Sequence, residues 1–217
     1  MEGFVTLDLF PVDAPTDLYF EQQARSRGYR VIAGIDEAGR GPLAGPVVAA
    51  AVVLPERFDL PGLTDSKKLT ARKRAELFLQ IRSQAAAVGV GIMPAEEVDR
   101  RNILQATLAA MRLAVERLRC PADYLLVDGI SRIPTTIPQL TLKKGDSRSL
   151  SVAAASVIAK VVRDRMMCAY DRRYPQYGFA GHKGYGSAAH RRAIAEHGPC
   201  PLHRRTFGGV REHLERS

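Results

Sequence analysis

Four carboxylates stand where apolar patterning stops: Asp36 and Glu37 close one apolar run, Asp128 follows another, and Asp146 precedes the longest helix-like stretch. Strand ends are where α/β proteins build their sites. A ligand set made only of oxygen suits hard cations such as Mg²⁺ or Mn²⁺. Two such ions about 4 Å apart can activate water on one side of a phosphate and stabilise the leaving oxygen on the other. Taken singly, each acid is equally an ordinary solvated loop carboxylate, and Asp146 could cap the helix that follows it. Recurrence at element ends inside a basic protein favours a shared site, because repulsion among clustered acids is relieved when cations neutralise it. Side chains alternate along a strand, so Asp36 and Glu37 share a site only if Glu37 lies beyond the regular strand, which a turn at Gly39 permits.

The elements that must carry these acids follow from periodicity. Two runs rich in β-branched residues, 30–36 and 47–54, are joined by a Gly/Pro turn and predict adjacent strands. Leu69, Ala75, Leu77 and Ile81 predict a helix, followed by a strand at 88–93, a helix at 103–118 and a strand at 124–127 that ends on Asp128. Residues 139–142 predict a last strand, which leads through Lys143-Lys144-Gly145-Asp146 into a helix over about 150–170. The small side chains of Ala153, Ala154, Ala155, Ser156 and Ala159 would let that helix lie close against a sheet, buried and central. Clustered strands followed by alternating strands and helices predict a mixed α/β sheet flanked by helices, with a helical C-terminal part. Residues 1–28, with Pro11, Asp13 and Pro15 ahead of a short polar helix at 18–27, read as an N-terminal appendage to a domain spanning 29–217.

A chain of 217 residues suits one domain, and 46% hydrophobic with 25% charged residues is ordinary globular composition. No apolar run reaches the roughly 18 residues of a membrane span. Met1-Glu2-Gly3 begins no basic, then apolar, secretory signal, so a cytoplasmic protein without membrane attachment is expected. Cys120, Cys168 and Cys200 form no C-x-x-C pair, which fits reduced thiols rather than a disulfide frame or zinc site. The net charge of +9 is localised: residues 1–142 hold 17 basic and 17 acidic side chains, whereas 143–217 hold 15 and 6. Such a surface suits a polyanion, although a general solubility charge would leave the same count.

The segment 34–46, Gly-Ile-Asp-Glu-Ala-Gly-Arg-Gly-Pro-Leu-Ala-Gly-Pro, closely resembles the opening signature of bacterial ribonuclease HII, the type 2 ribonuclease H family. Further blocks resemble that family in order: Asp65-Ser66-Lys67-Lys68-Leu69, Asn102 to Thr107, Val127-Asp128-Gly129, Lys144-Gly145-Asp146, Ala153 to Lys160 with Arg163-Asp164, and His182-Lys183-Gly184-Tyr185-Gly186. The likeness spans about residues 29–209. It implies a ribonuclease H-like catalytic domain that cuts the RNA strand of RNA/DNA hybrids and single ribonucleotides embedded in duplex DNA, leaving a 3′-hydroxyl and a 5′-phosphate. It further implies that Asp36, Glu37, Asp128 and Asp146 hold the metal, two ions of Mg²⁺ or Mn²⁺ during catalysis. The related ribonuclease HIII carries Thr where this chain has Arg40.

The same resemblance implies the substrate contacts. Gly39-Arg40-Gly41 would bring backbone close enough to bond a 2′-hydroxyl, the group that separates RNA from DNA. Tyr185 would stack on the sugar beside the scissile junction; its other reading is a half-buried loop tyrosine. Ser66 and Lys67 look like phosphate contacts or a solvated helix start, and Lys144 joins the substrate set. Arg172-Arg173, Arg191-Arg192 and Arg204-Arg205 read as a diffuse phosphate-facing surface or a merely solvated one. Two other functions stay open: a different two-metal DNA nuclease on a similar fold, and a basic nucleic-acid-binding protein without catalysis. Nothing requires a dimer. Finally, Thr6-Leu7-Asp8-Leu9-Phe10 resembles the peptide that bacterial replication and repair proteins insert into the sliding clamp, with Thr6 in place of the usual glutamine. A short edge strand or apolar flap would read the same way.

Overall fold

A strand buried along its whole length needs cover on both faces. The computed structural model, which describes residues 17–216, meets that need with a five-stranded mixed sheet between helices. Strands β1 (Ile32–Ala38), β2 (Val47–Val53), β3 (Ala87–Met93), β4 (Tyr124–Asp128) and β5 (Gln139–Leu142) lie in the order β3-β2-β1-β4-β5. β2 is antiparallel to both β1 and β3, whereas β4 runs parallel to β1 and to β5. All seven residues of β2 are buried.

Helices α2 (Ala71–Gln84), α3 (Ala95–Arg101), α4 (Ile103–Glu116) and α5 (Leu150–Arg173) cover the sheet. α4 buries Ala106, Ala110 and Ala114 on the face that carries Ala33, Ile35 and Val127; α5 and α2 bury Ala154, Ile158 and Leu77 against Ala50 and Val52 on the other. The small face read in α5 has the expected result, for residues 151–159 are all buried. Glycine completes the fit from the sheet side: a Cβ on Gly34 would lie 2.1 Å from the Ser151 carbonyl carbon, so β1 and α5 meet at backbone distance. α3 is a short helix that the sequence pattern did not reveal. It is divided from α4 by Asn102, whose φ of 68° breaks the helix while its side chain accepts from the Gln105 N–H and caps α4.

Helix α1 (Tyr19–Ser26), which falls within the stretch 1–28 set apart by sequence, packs onto the domain. Phe20 and Ala24 join Tyr124, Leu126 and Val152, and the buried Glu21 accepts from Ser149 Oγ, Ser151 N–H and Ser151 Oγ at 2.5–3.0 Å. The Thr6–Phe10 segment lies outside the described residues. Beyond α5 the chain forms α6 (Phe179–His182) and α7 (Ala188–His197), then returns to α3, where Asp99 accepts from Arg205 N–H, Thr206 N–H and Thr206 Oγ1. No helix among the described residues is long and apolar enough to cross a membrane.

Gly34→Ala should displace α5 from β1 and cost about 3 kcal/mol, at the upper end of what overpacking a core usually costs. Urea denaturation measures it; a variant with the parent midpoint would show that this contact tolerates a methyl group.

Candidate active site

The acids converge where two strands part. β1 pairs with β4 only as far as Ile35 opposite Val127, whereas β4 stays paired with β5 through its last residue, Asp128, opposite Leu142. A notch opens at the carboxyl ends of these parallel strands, the usual ligand position in open sheets. Asp36, Glu37 and Asp128 each bring a carboxylate oxygen into it, all within 4.8 Å of one another. One expectation needs correcting here: Glu37 is not beyond the strand but inside β1, opposite Ala49. It still reaches Asp36 and Asp128 because β1 lacks a neighbour on the β4 side at this point.

Local bonds hold the acids against their own repulsion. The Glu37 N–H donates to Asp36 Oδ1 at 2.7 Å, and the Gly145 N–H donates to Asp128 Oδ1 at 2.7 Å. Asp146 sits in the 3₁₀ turn Gly145–Ser147 and is buried, with Lys67 Nζ 3.6 Å from its Oδ2. It does not cap α5; Ser149 does, accepting from the Val152 N–H. A further acid, Asp65, lies close enough to help raise the Asp146 carboxyl, and its signal was present in the Asp65-Ser66-Lys67 block.

Burial, reinforced by the charges of Glu37, Asp128 and Asp146, pushes the Asp36 carboxyl well above the usual range. Burial likewise raises Glu37, helped by Asp128 and opposed by Arg40, whose Nη1 lies 3.3 Å from Glu37 Oε1. Asp146 is pushed up to about 6 by burial and then by Asp128 and Asp65, with Lys67 pulling the other way. Carboxylates crowded in this way are each harder to ionise, and a cation among them would relieve the repulsion. Their oxygen-only donor set fits a hard divalent ion.

Across the cleft, the other residues singled out in the sequence gather beside the acids. Gly39, Gly41, Ser66, Lys67 and Tyr185 line one hollow with Glu37. Lys67 and Tyr185 are exposed, whereas Ser66 is buried with its hydroxyl accepting from Ser156 Oγ at 2.7 Å. Lys144 is exposed next to Asp146 in a left-handed conformation, φ 54°. Gly39 is irreplaceable on two counts: φ is +96°, and a Cβ there would lie 2.0 Å from Arg163 Nε.

Two arginines that sequence reasoning missed or misplaced shape this wall. Arg204, expected on a phosphate-facing surface, is 0% exposed. Its guanidinium donates to the carbonyls of Gly39, Arg40 and Gly45. Arg163, 1% exposed, donates to Ala44, Pro46 and Lys183 carbonyls. Neither makes an ion pair among the described residues, and burial, with repulsion from Arg163, holds Arg204 down at about 9. Drawing the Gly39 and Arg40 carbonyls inward turns the following amides, Arg40 N–H and Gly41 N–H, the opposite way, since C=O and N–H of one trans peptide point in opposite directions. Neither amide donates a hydrogen bond among the described residues.

Comparison with known proteins agrees with this geometry. The family model for ribonuclease HII matches residues 33–210. The chain is 70% identical over 208 residues to ribonuclease HII of Syntrophotalea carbinolica, covering 96% of this chain and all of that one. It is 61% identical over 210 residues to that of Geotalea daltonii, covering 97% of each. Among solved structures, ribonuclease H2 from Pyrococcus horikoshii OT3 superposes with a TM-score of 0.73 at 27% identity, over 86% of this chain and 98% of that one. Archaeoglobus fulgidus RNase HII, solved in a PCNA:RNase HII complex, superposes at 0.69 with 28% identity, over 82% and 96%. The fold and the carboxylate notch thus define a hydrolase of the ribonuclease H class. Within that class, the chain belongs to the ribonuclease HII family.

Linkage gives the acids a measurable signature. A carboxyl whose native pKa is raised holds its proton better when folded, so the stability it contributes is full below the unfolded value near 3.8 and is lost as pH rises through about 6. In metal-free buffer, the melting temperature of Asp146→Asn should therefore rise relative to the parent between about pH 4 and pH 6 and keep that lead above it. A pH-independent difference would refute the shift.

Proposed function

We propose that this ribonuclease cuts the RNA strand of RNA/DNA hybrids and the junction at single ribonucleotides in duplex DNA, leaving a 3′-hydroxyl and a 5′-phosphate, in ribonucleotide removal during DNA replication and repair. The observation that carries the reading is the placement of Asp36, Glu37 and Asp128, oxygens within 4.8 Å, beside a turn that presents two backbone N–H groups without a hydrogen-bond acceptor among the described residues. A phosphate can meet the acids only if cations intervene, while a sugar can meet the turn directly.

Asp36, Glu37 and Asp128 would hold one Mg²⁺ or Mn²⁺, and Asp146 with its neighbours a second. When bound, such ions lower the pKa of water and stabilise the leaving oxygen. The protein groups do the rest. Arg40 N–H and Gly41 N–H donate to the ribose 2′-oxygen, which a deoxyribose lacks. Tyr185, whose ring lies 3.8 Å from a Cβ built on Gly41, covers the adjoining sugar. Lys67, beside Asp146, and Lys144 steer phosphates toward the acids, with Ser66 shaping the wall between them. The basic C-terminal third adds sequence-independent affinity for the duplex. Thr6–Phe10 would dock on the DNA sliding clamp; a relative solved in complex with PCNA supports a protein partner of this kind.

Two labelled duplexes, identical except that one contains a single ribonucleotide, test the reading with Mg²⁺ or Mn²⁺ present. One cut is expected in the first and none in its all-DNA twin; equal cutting would favour a DNA nuclease on the same fold. Asp36→Asn and Asp128→Asn should abolish cleavage while leaving duplex affinity within a few fold, because no basic surface is removed. Full activity in Asp128→Asn would overturn the metal-ligand assignment.

A further inference from the structure

Behind the exposed Tyr185 ring lies a pair of buried histidines that the carboxylate chemistry does not use. His190 on α7 is 0% exposed and His203, in the segment that follows, 1%. Their partners set the proton on every ring nitrogen. A backbone amide can only donate, and the Cys200 N–H meets His203 Nδ1 at 3.0 Å. The Cys200 carbonyl is 3.3 Å from the same nitrogen, but that contact is longer and the oxygen already accepts from the His203 N–H at 2.9 Å. His203 Nδ1 is therefore bare, and its proton sits on Nε2, where it is donated across 3.0 Å to His190 Nε2. His190 then carries its own proton on Nδ1 and donates it to the Tyr185 carbonyl at 2.9 Å. The chain of bonds runs one way, from Cys200 N–H to Tyr185 C=O.

A second proton on either ring would set N–H against N–H. Burial holds both imidazoles down at about 4, His203 further so by His190 and both by His182. His182 stacks on His190 at 4.3 Å, with Nδ1 accepting from Gly184 N–H and Nε2 bonded to the Tyr177 carbonyl. Arg191, the nearest cation on α7, turns its Nε to the Gly186 carbonyl, and Phe179 and Tyr177 pack edge-on against His190 and His203.

The tyrosine needs such a grip. It stands between Gly184, φ +84°, and Gly186, and the residue is 49% exposed. An aromatic contact that must be ordered on binding loses affinity to that ordering, whereas one fixed beforehand does not. The Tyr185 N–H donates to the His182 carbonyl, and its own carbonyl receives both His190 Nδ1 and the Ser187 N–H. His203 is followed directly by Arg204, which grips the Gly39 and Arg40 carbonyls. Two consecutive residues thus hold the ring and the turn in one frame.

We infer that His190 and His203 are positioning residues for Tyr185, a one-way relay of neutral imidazoles that sets the ring over Gly41 before a sugar arrives. The inference rests on the reading of Tyr185 as a sugar contact, and the experiment separates the two. Steady-state cleavage of the single-ribonucleotide duplex is compared for Tyr185→Ala, His190→Leu, His190→Asn and the Tyr185→Ala/His190→Leu double variant, with melting temperatures alongside. Asparagine can place an amide N–H near the position of Nδ1, keeping the bond to Tyr185. His190→Leu should raise KM about tenfold with kcat little changed, His190→Asn should recover most of the loss, and His190→Leu should add nothing once Tyr185 is gone. Additive losses, or a fall in kcat without a KM effect, would overturn the relay. Long-range ¹⁵N NMR of the parent protein needs no variant: it should show His203 protonated on Nε2 and His190 on Nδ1 at neutral pH. A charged ring or the reverse tautomers would overturn the relay alone, whereas an unchanged KM in Tyr185→Ala would overturn the sugar contact beneath it.

Discussion

Like charges forced together away from water are the constraint on which the rest of this molecule depends. Asp36, Glu37 and Asp128 bring oxygens within 4.8 Å, with Asp146 adjoining, and an isolated chain would let them drift apart. Holding them requires stiff supports. The sheet supplies the ends of β1 and β4; the Glu37 and Gly145 amides each bond one carboxylate; and α5, seated on Gly34 at backbone distance, fixes the turn that carries Asp146. Helix α1 reinforces that turn from behind, since Glu21 bonds the first residues of α5.

The opposite wall shows the same strain with the opposite sign. Arg163 and Arg204 are buried guanidinium groups whose hydrogen bonds among the described residues all go to carbonyls, an arrangement that loses hydration without gaining a direct ion pair. What the arrangement gives in return is shape: five donors in a fixed fork can seize several carbonyls at once and so dictate which way a glycine-rich turn faces. Positive charge below the turn and negative charge beside it leave a cleft whose field changes sign over a short distance. Such a cleft suits a phosphodiester, which needs cations at the phosphate and donors at the sugar.

Much of this architecture was legible in order along the chain. The runs that became β1 to β5, the small face of α5, and the placing of Asp128 at the end of β4 and of Asp146 ahead of α5 all follow from residue type and period. Other parts were not. α3 is seven residues long and is cut from α4 by a single left-handed Asn102, too short for a helical period to register. Arg204 looked like half of a solvated basic pair, since sequence shows a guanidinium but not the carbonyls that surround it. Glu21 lay in a segment that read as polar, because a buried acid that accepts three hydrogen bonds has the same letter as a solvated one.

By itself the sequence determined which runs face a core, where the five strands and the longer helices lie, that Asp128 and Asp146 stand at element ends, and that a glycine-rich turn follows the first strand and a tyrosine sits in a later loop. Local physics decides those points: periodicity, glycine's freedom and side-chain size act over a few residues. The tertiary structure alone decided that Glu37 joins Asp36 from within one strand, because β4 leaves β1 after Ile35. It also decided that Arg204 and His203 work inward rather than toward solvent. Both outcomes depend on contacts between residues as much as 165 positions apart, and a side chain's chemistry does not name its distant partner until the chain has closed around it.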